Sequence, residues 1–102
     1  MRVIFATCSA SEAETLAERL LEERLIGCAN LIPGVRSLYR WQGELQRDEE
    51  VVMWMETTEG LAEAAARRLR ELHSYDVPKI VTLDPAACDP AYQEWLDEVT
   101  GA

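Results

Sequence analysis

Apart from Met1, six side chains of this sequence carry the sulfur and imidazole donors that soft or borderline metal ions prefer. They are Cys8, Cys28, Cys88, His73, Met53 and Met55. The cysteines are widely spaced and form no Cys-x-x-Cys pair, which argues against a zinc ribbon and a thioredoxin-type redox site. Each donor also has a structural interpretation. Buried cysteine and methionine commonly serve as apolar side chains, and a histidine at a helix end can interact with the helix dipole. Met53 and Met55 share a strand-like face with Val51, which favours core packing for both.

Carboxylates and possible catalytic groups give a weaker signal. The acidic run Asp48-Glu49-Glu50 could hold a hard cation weakly, or it could keep an exposed strand edge soluble. An active site needs a nucleophile with a base, or paired acids in a dry cleft. His73 has no evident Ser or Cys partner in the sequence, and no glycine-rich phosphate loop follows the first apolar segment. We therefore predict no catalytic residue and a protein that is not an enzyme.

The composition excludes several classes of function. The chain has 102 residues, enough for a single domain over 1–102, and its formal net charge is −9. Binding to nucleic acid or to anionic lipid relies on clustered Lys and Arg, so we expect neither a nucleic-acid nor a membrane partner. No apolar stretch approaches the roughly 20 residues of a membrane span, and the N-terminus lacks a signal-peptide pattern. With three free thiols, these features predict a cytoplasmic protein.

The first half of the chain predicts a strand, a helix and a long hairpin. Apolar and β-branched residues over 2–7 indicate the strand. Ser11 and Glu14 fit a capping box at the start of the helix, and Gly27 fits the left-handed residue that ends it. The hairpin strands cover 28–41 and 45–57, with a tight turn at Gln42-Gly43 and an interruption at Pro33-Gly34.

The second half predicts a helix, a short strand and a closing helix. Thr58 can cap the first of these helices. Pro78 precedes a strand over 80–83, and Asp89 followed by Pro90 marks the start of the last helix. The element order is βαββαβ plus a terminal helix, which predicts an α+β, ferredoxin-like fold with both main helices on one face of the sheet.

The hairpin is long for so small a domain. Strands of 13–14 residues span roughly 45 Å at about 3.3 Å per residue, whereas a domain of this size is about 34 Å across. Tyr39, Trp41, Trp54 and Met53 lie toward the overhanging half, and leaving them in water is unfavourable. Packing against another copy of the chain would cover them and protect the strand edges. The alternative is a monomer whose bent hairpin covers itself.

Two segments together resemble the CutA divalent-cation tolerance family. The first covers 28–43, with Cys28-Ala29-Asn30-Leu31-Ile32-Pro33-Gly34-Val35 followed by Ser37-Leu38-Tyr39-Arg40-Trp41-Gln42-Gly43. The second is His73-Ser74-Tyr75-Asp76-Val77-Pro78-Lys79-Ile80, and Tyr92 to Leu96 adds a third match near the end. The matches occur in the family's order and spacing over nearly the whole chain.

This resemblance implies a homotrimer similar to the PII signalling proteins and tolerance of divalent metal ions, copper above all. It implies no tightly bound cofactor, and copper or another divalent cation as a weakly bound partner. In the family, a cysteine on the first strand and a histidine in the second segment are associated with copper. His73 matches that histidine, whereas the strand position falls at Phe5, three residues before Cys8. We therefore predict Cys28, His73 and Cys8 as candidate metal ligands.

The sequence departs from the family pattern at three positions. The family usually has lysine where Glu56 stands, proline at Ser74 and glutamate at Lys79. If Glu56 and Lys79 touch, the two exchanges represent an ion pair with its charges swapped. If they do not, the family's lateral pocket is altered in this chain.

A second functional hypothesis concerns aromatic residues near the hairpin. A predicted ligand pocket or subunit interface comprises Arg36, Tyr39, Trp41, Trp54, Glu56 and Tyr75. Aromatic walls with a few polar groups fit a ligand pocket, and they fit an oligomer interface equally well. The alternative function is thus a PII-like regulatory module that binds a small ligand or a partner protein between subunits.

Overall fold

The computed structural model describes residues 1–101 as four strands and three helices. In chain order these are β1 (Arg2–Cys8), α1 (Ala13–Glu22), β2 (Cys28–Trp41), β3 (Glu44–Thr57), α2 (Ala62–Leu72), β4 (Ile80–Leu83) and α3 (Pro90–Thr100). The strands form one antiparallel sheet in the order β2-β3-β1-β4. The predicted ferredoxin-like α+β fold, with its long hairpin and terminal helix, is confirmed.

The core lies between α1, α2 and one face of the sheet. Ile4, Ala6 and Cys8 of β1 pair with Met55, Met53 and Val51 of β3, and all six side chains are buried. Leu20 of α1 and Leu69 of α2 are fully buried against them. Facing pairs in an antiparallel sheet share one face, so the alternation of apolar residues in both strands decides which face is buried. The prediction that Met53 and Met55 pack in the core is confirmed, and Met53 needs no cover from another copy.

The opposite sheet face, here called the open face, has helix cover at one end only. There the Tyr92 side chain of α3 reaches Glu56 of β3 at 2.7 Å. The remaining open face carries half-exposed apolar side chains, with exposures of 51% for Ile32, 41% for Val81, 39% for Leu83 and 36% for Trp54. These residues lie on β2, β3 and β4, and the partly buried Phe5 of β1 lies between Trp54 and Val81, so the apolar surface extends across the sheet.

The hairpin of β2 and β3 gives the molecule its elongated shape. Its strands pair from Cys28 with Glu56 to Trp41 with Glu44, and the register shifts between Ile32 and Val35 at the predicted interruption. The turn at Gln42-Gly43 has positive φ at both residues, 50° and 81°. A two-residue hairpin turn whose twist matches that of the flanking strands requires this conformation. The principal extents are 45 × 27 × 22 Å, so the predicted hairpin length is confirmed.

The helix starts differ from two predictions. Helix α1 begins at Ala13, one residue later than a cap at Ser11 would give, and its first turn lacks a side-chain cap. One of the two bonds of a capping box is instead formed by Ser9 and Glu12, because the Glu12 carboxylate accepts hydrogen bonds from the Ser9 amide and hydroxyl at 3.3 and 2.7 Å. Thr58 contributes only its backbone carbonyl to the start of α2. By contrast, Asp89 caps α3 through its carboxylate as predicted.

Gly27 was predicted as a left-handed helix end, and that prediction is wrong. The residue with positive φ after α1 is Arg24, at 57°. Gly27 is needed for close packing instead, because a Cβ at this position would lie 2.7 Å from a methyl of Leu96 and 3.1 Å from one of Val99. The glycine therefore lets α3 approach the start of β2. Among the described helices, none is long and apolar enough to cross a bilayer.

Gly27→Ala is expected to lower the free energy of unfolding by about 1–3 kcal/mol, because the added methyl overpacks the contact with buried Leu96. Chemical denaturation measures the change. Gly60→Ala is the matched control, since no atom lies within 4 Å of the Cβ built there, and its effect should stay below about 0.5 kcal/mol. Equal effects of the two substitutions would contradict the packing role of Gly27.

Candidate functional site

His73 is nearly buried at the end of α2 and uses both ring nitrogens within the chain. Its Nδ1 accepts a hydrogen bond from the Tyr75 backbone N–H at 3.1 Å. Its Nε2 lies 2.9 Å from the Thr7 carbonyl oxygen, to which it donates. These contacts fit the neutral Nε2–H tautomer and join α2 to β1. Metal binding by this imidazole would break one of the two bonds, so the geometry favours the structural interpretation of His73.

Cys8 is the last residue of β1 and is fully buried in the core. Burial, together with the nearby carboxylates of Glu12 and Glu50, raises the pKa of the Cys8 thiol to about 11. A thiol binds metal as the thiolate. At neutral pH this side chain therefore behaves as a small apolar group.

Cys28 lies at the start of β2, near the part of the open face that α3 covers. Its thiol is partly buried, and it lies 3.9 Å from the Asn30 side-chain oxygen. Burial raises the pKa of Cys28, with Tyr92 acting in the opposite direction and Glu56 adding to the increase. Of the three predicted metal ligands, Cys28 is the one whose residue is not buried.

The structure does not bring the three predicted ligands together within one chain. Cys8 pairs with Val51 and Cys28 with Glu56, five residues further along β3, which corresponds to about 17 Å along the strand. His73 lies at the Cys8 end. Over residues 1–101, no group of three His, Cys, Asp or Glu side chains has metal-binding geometry. The donors present in a single chain thus do not fit one copper site built from these residues.

Glu12 forms a polar link that the sequence analysis missed. Besides Ser9, its carboxylate accepts hydrogen bonds from the Ser74 amide at 3.2 Å and the Ser74 hydroxyl at 2.8 Å. Burial acts to raise the pKa of Glu12, but the bonds from Ser9 and Ser74 outweigh it and lower that pKa. The carboxylate thereby joins the segment after β1 to the segment after α2, beside His73.

Glu12→Gln is expected to lower the free energy of unfolding at pH 7 by about 1–2 kcal/mol, since hydrogen bonds to an ionised acceptor are lost. A carboxyl whose folded pKa is depressed stabilises the fold above its unfolded value, near 4.5, and that stability is lost as the pH falls through the lower folded value. The difference from wild type should therefore shrink below about pH 4.5 in denaturation series. Glu14→Gln, at the exposed position first predicted for the box, is the control; a larger effect there would contradict this assignment.

Aromatic residues of the hairpin and of the loop after α2 line an open cavity of about 480 Å³, here called the outer cavity. Its lining comprises Tyr39, Trp41, Tyr75, Asp48, Glu49, Asp76 and Val77. The Tyr75 hydroxyl donates to the buried Glu50 carboxylate at 2.8 Å, and the Tyr39 hydroxyl donates to Asp48. Burial, and then the bond to Glu50, raises the Tyr75 pKa. Two carboxylates of the acidic run 48–50 thus fix aromatic rings. This role differs from both predicted ones, a weak cation site and a soluble strand edge.

An adjoining inner cavity of about 490 Å³ extends from the same aromatic rings toward β1. Arg36 and Lys79 line it, and the Lys79 ammonium lies 5.3 Å from the centre of the Phe5 ring. Of the six residues predicted for a pocket or interface, Tyr39, Trp41, Tyr75 and Arg36 are therefore brought together.

The other two predicted pocket residues, Trp54 and Glu56, lie apart from these cavities. Trp54 donates through its indole nitrogen to Glu56 at 2.8 Å, and the second Glu56 oxygen accepts from Tyr92. Both carboxylate oxygens are thus engaged, and among the described residues Glu56 forms no ion pair with Lys79. The supposed swapped pair is not formed within one chain.

Comparison with known proteins assigns the family. The sequence model of the family described as CutA1 divalent ion tolerance protein matches residues 2–99. This chain belongs to that family. The predicted CutA resemblance is therefore confirmed, and with it a general connection to divalent-cation tolerance.

Individual CutA relatives agree in sequence and in fold. A divalent-cation tolerance protein CutA from Thermus thermophilus is 41% identical over 99 residues, covering 97% of this chain and 96% of that protein. The crystal structure of CutA1 from Pyrococcus horikoshii matches with a TM-score of 0.94 at 38% identity and full coverage of both chains. CutA1 from Ehrlichia chaffeensis has a TM-score of 0.95 at 28% identity, covering 99% and 95% of the two chains.

Proposed function

We propose that this chain acts in divalent-cation tolerance as a homotrimer in the cytoplasm, with copper as a weakly bound metal and without catalytic activity. The open face is the observation that supports self-association. It presents Ile32, Trp54, Val81 and Leu83 together, at exposures between 36% and 51%. Burial of such a surface stabilises association by about 25 cal/mol per Å² of apolar area before association costs. A second copy offers an equivalent apolar surface.

Cys28 is the donor on which the copper proposal rests. A thiolate is a preferred ligand of monovalent copper, and this thiol is only partly buried. Because its own chain places neither Cys8 nor His73 beside it, we infer that further ligands would come from a neighbouring copy or from solvent. Such a site, with one fixed strong donor per chain, is expected to bind weakly.

Anaerobic titration with monovalent copper against a competing chelator tests this proposal. Cys28→Ser is expected to weaken binding at least tenfold, because it removes the thiolate. Cys88→Ser is the matched control, since Cys88 is also partly buried but lies just before α3, and it should leave the affinity within twofold. An unchanged affinity in the Cys28 variant would show that this residue is not a copper ligand.

The alternative function is a regulatory module similar to PII proteins that binds a small ligand or a partner protein. The outer cavity favours it, because a volume of about 480 Å³ with aromatic walls lies within the range of small-molecule sites. A ligand screen by thermal shift tests this alternative, since a ligand that binds the native state raises its stability.

A further inference from the structure

The outer cavity combines aromatic walls with charge of one sign. Tyr39, Trp41 and Tyr75 supply three rings, and each is more than a third exposed, so ring surface remains for a ligand. Its charged lining residues, Asp48, Glu49 and Asp76, are all acidic. The face of an aromatic ring attracts cations through its quadrupole, and carboxylates act in the same direction. Both the aromatic rings and the carboxylates of the lining therefore favour a positively charged ligand.

The aromatic walls are held in place by hydrogen bonds. Both tyrosine hydroxyls donate to carboxylates, Tyr39 to Asp48 and Tyr75 to Glu50. The Tyr75 backbone N–H also donates to His73, whose ring lies 4.6 Å from the Tyr75 ring. Rings fixed before binding lose little conformational freedom when a ligand arrives.

In the adjoining inner cavity, a cation of the chain itself lies over an aromatic ring. There the Lys79 ammonium lies over the Phe5 ring at 5.3 Å, and Arg36 lines the same space. The outer cavity has rings and carboxylates but no basic lining residue. Asp48 and Glu49 also line a neighbouring cavity with Arg36 and Arg47. No ion pair of the described residues involves Asp48, Glu49 or Asp76, so their charge remains available to a cation from outside the chain.

We propose that the outer cavity binds an organic cation of the alkylated ammonium type. A bare metal ion needs several converging oxygen ligands, whereas here the Asp48 carboxylate already accepts from Tyr39, and aromatic side chains account for three of the seven lining residues. Alkyl groups on nitrogen pack against the rings and Val77 while the charge interacts with the rings and the acidic rim. This inference supplies a ligand class for the regulatory alternative and does not depend on copper. One chain lines the whole cavity, so the inference requires that the cavity stay open in the assembly.

Calorimetric titration with choline tests the charge requirement. The comparison compound is 3,3-dimethylbutan-1-ol, which has nearly the same shape but carbon in place of the charged nitrogen. Choline should bind at least tenfold more tightly than the alcohol, and its affinity should fall with added salt. Equal binding of the two compounds, or no binding of choline at millimolar concentrations, would overturn the proposal. Choline would also fail to bind if a neighbouring copy filled the cavity, and that outcome equally counts against a ligand site.

Two variants test the location. Trp41→Leu should weaken choline binding at least tenfold, whereas Trp95→Leu, on a half-exposed indole of α3 outside the cavity, should leave it within twofold. Because Trp41 ends a hairpin strand, Asp76→Asn in the loop after α2 provides a second variant and should weaken binding several-fold. Unchanged affinity in both cavity variants would overturn the assignment. Sedimentation of the same samples reports the trimer independently, so the two proposals can fail separately.

Discussion

Val81→Glu is expected to dissociate the proposed trimer into chains of 11.5 kDa. Val81 lies on the open face opposite Phe5 and is 41% exposed, so in one chain a carboxylate there remains in contact with water. Within a symmetric assembly the same carboxylate would be buried in every copy, at a cost of several kcal/mol each unless it finds a partner. Analytical ultracentrifugation at several concentrations would show the change in mass.

Thr82→Glu is the matched control for that substitution. Thr82 is the next residue of β4, is exposed, and pairs with Ile4 on the other face of the sheet. The same added charge there should leave the mass unchanged. If Val81→Glu kept the mass of the wild type, the open face would not be the surface that joins the copies.

His73→Ala is expected to lower the free energy of unfolding by about 2–4 kcal/mol. The substitution leaves the Thr7 carbonyl and the Tyr75 amide without their partner at a nearly buried position, and it removes the link between α2 and β1. Denaturant unfolding followed by circular dichroism measures the loss.

A chelator separates this structural role from metal binding by His73. If the imidazole acts through hydrogen bonds within the chain, the loss in His73→Ala has the same size with and without a chelator, and the chelator does not destabilise the wild type. If a bound metal carried the effect, the chelator would destabilise the wild type and abolish most of the difference. That second pattern would contradict the structural interpretation of His73.

Local patterns in the sequence were sufficient to predict the fold. Alternating apolar residues identified which faces of β1 and β3 enter the core, and the turn residues at Gln42-Gly43 fixed the hairpin register. The errors occurred where two local patterns overlap or where the cause is tertiary. Ser9-x-x-Glu12 and Ser11-x-x-Glu14 fit the capping box equally well in sequence. In the structure Glu12 contacts Ser9, and Ser74, far away in the chain, also reaches Glu12.

The candidate sites were less predictable because they depend on long-range register. The sequence indicated which residues could bind a metal. The distance between Cys8 and Cys28, however, depends on their partners in β3, Val51 and Glu56, which lie five residues apart. Tyr39, Trp41 and Tyr75 line one cavity, whereas Trp54 and Glu56 of the same predicted set lie apart from it. Glu12 and Tyr92 were missed as site residues, since each acquires its role through a side-chain contact with a distant segment.

The mass of the wild-type protein in solution tests the central claim most directly, namely that the apolar open face is covered by other copies of the chain. Sedimentation equilibrium over a range of dilutions is predicted to show one species at about three times 11.5 kDa. A stable species of 11.5 kDa throughout that range would contradict the claim and leave the open face without an occupant.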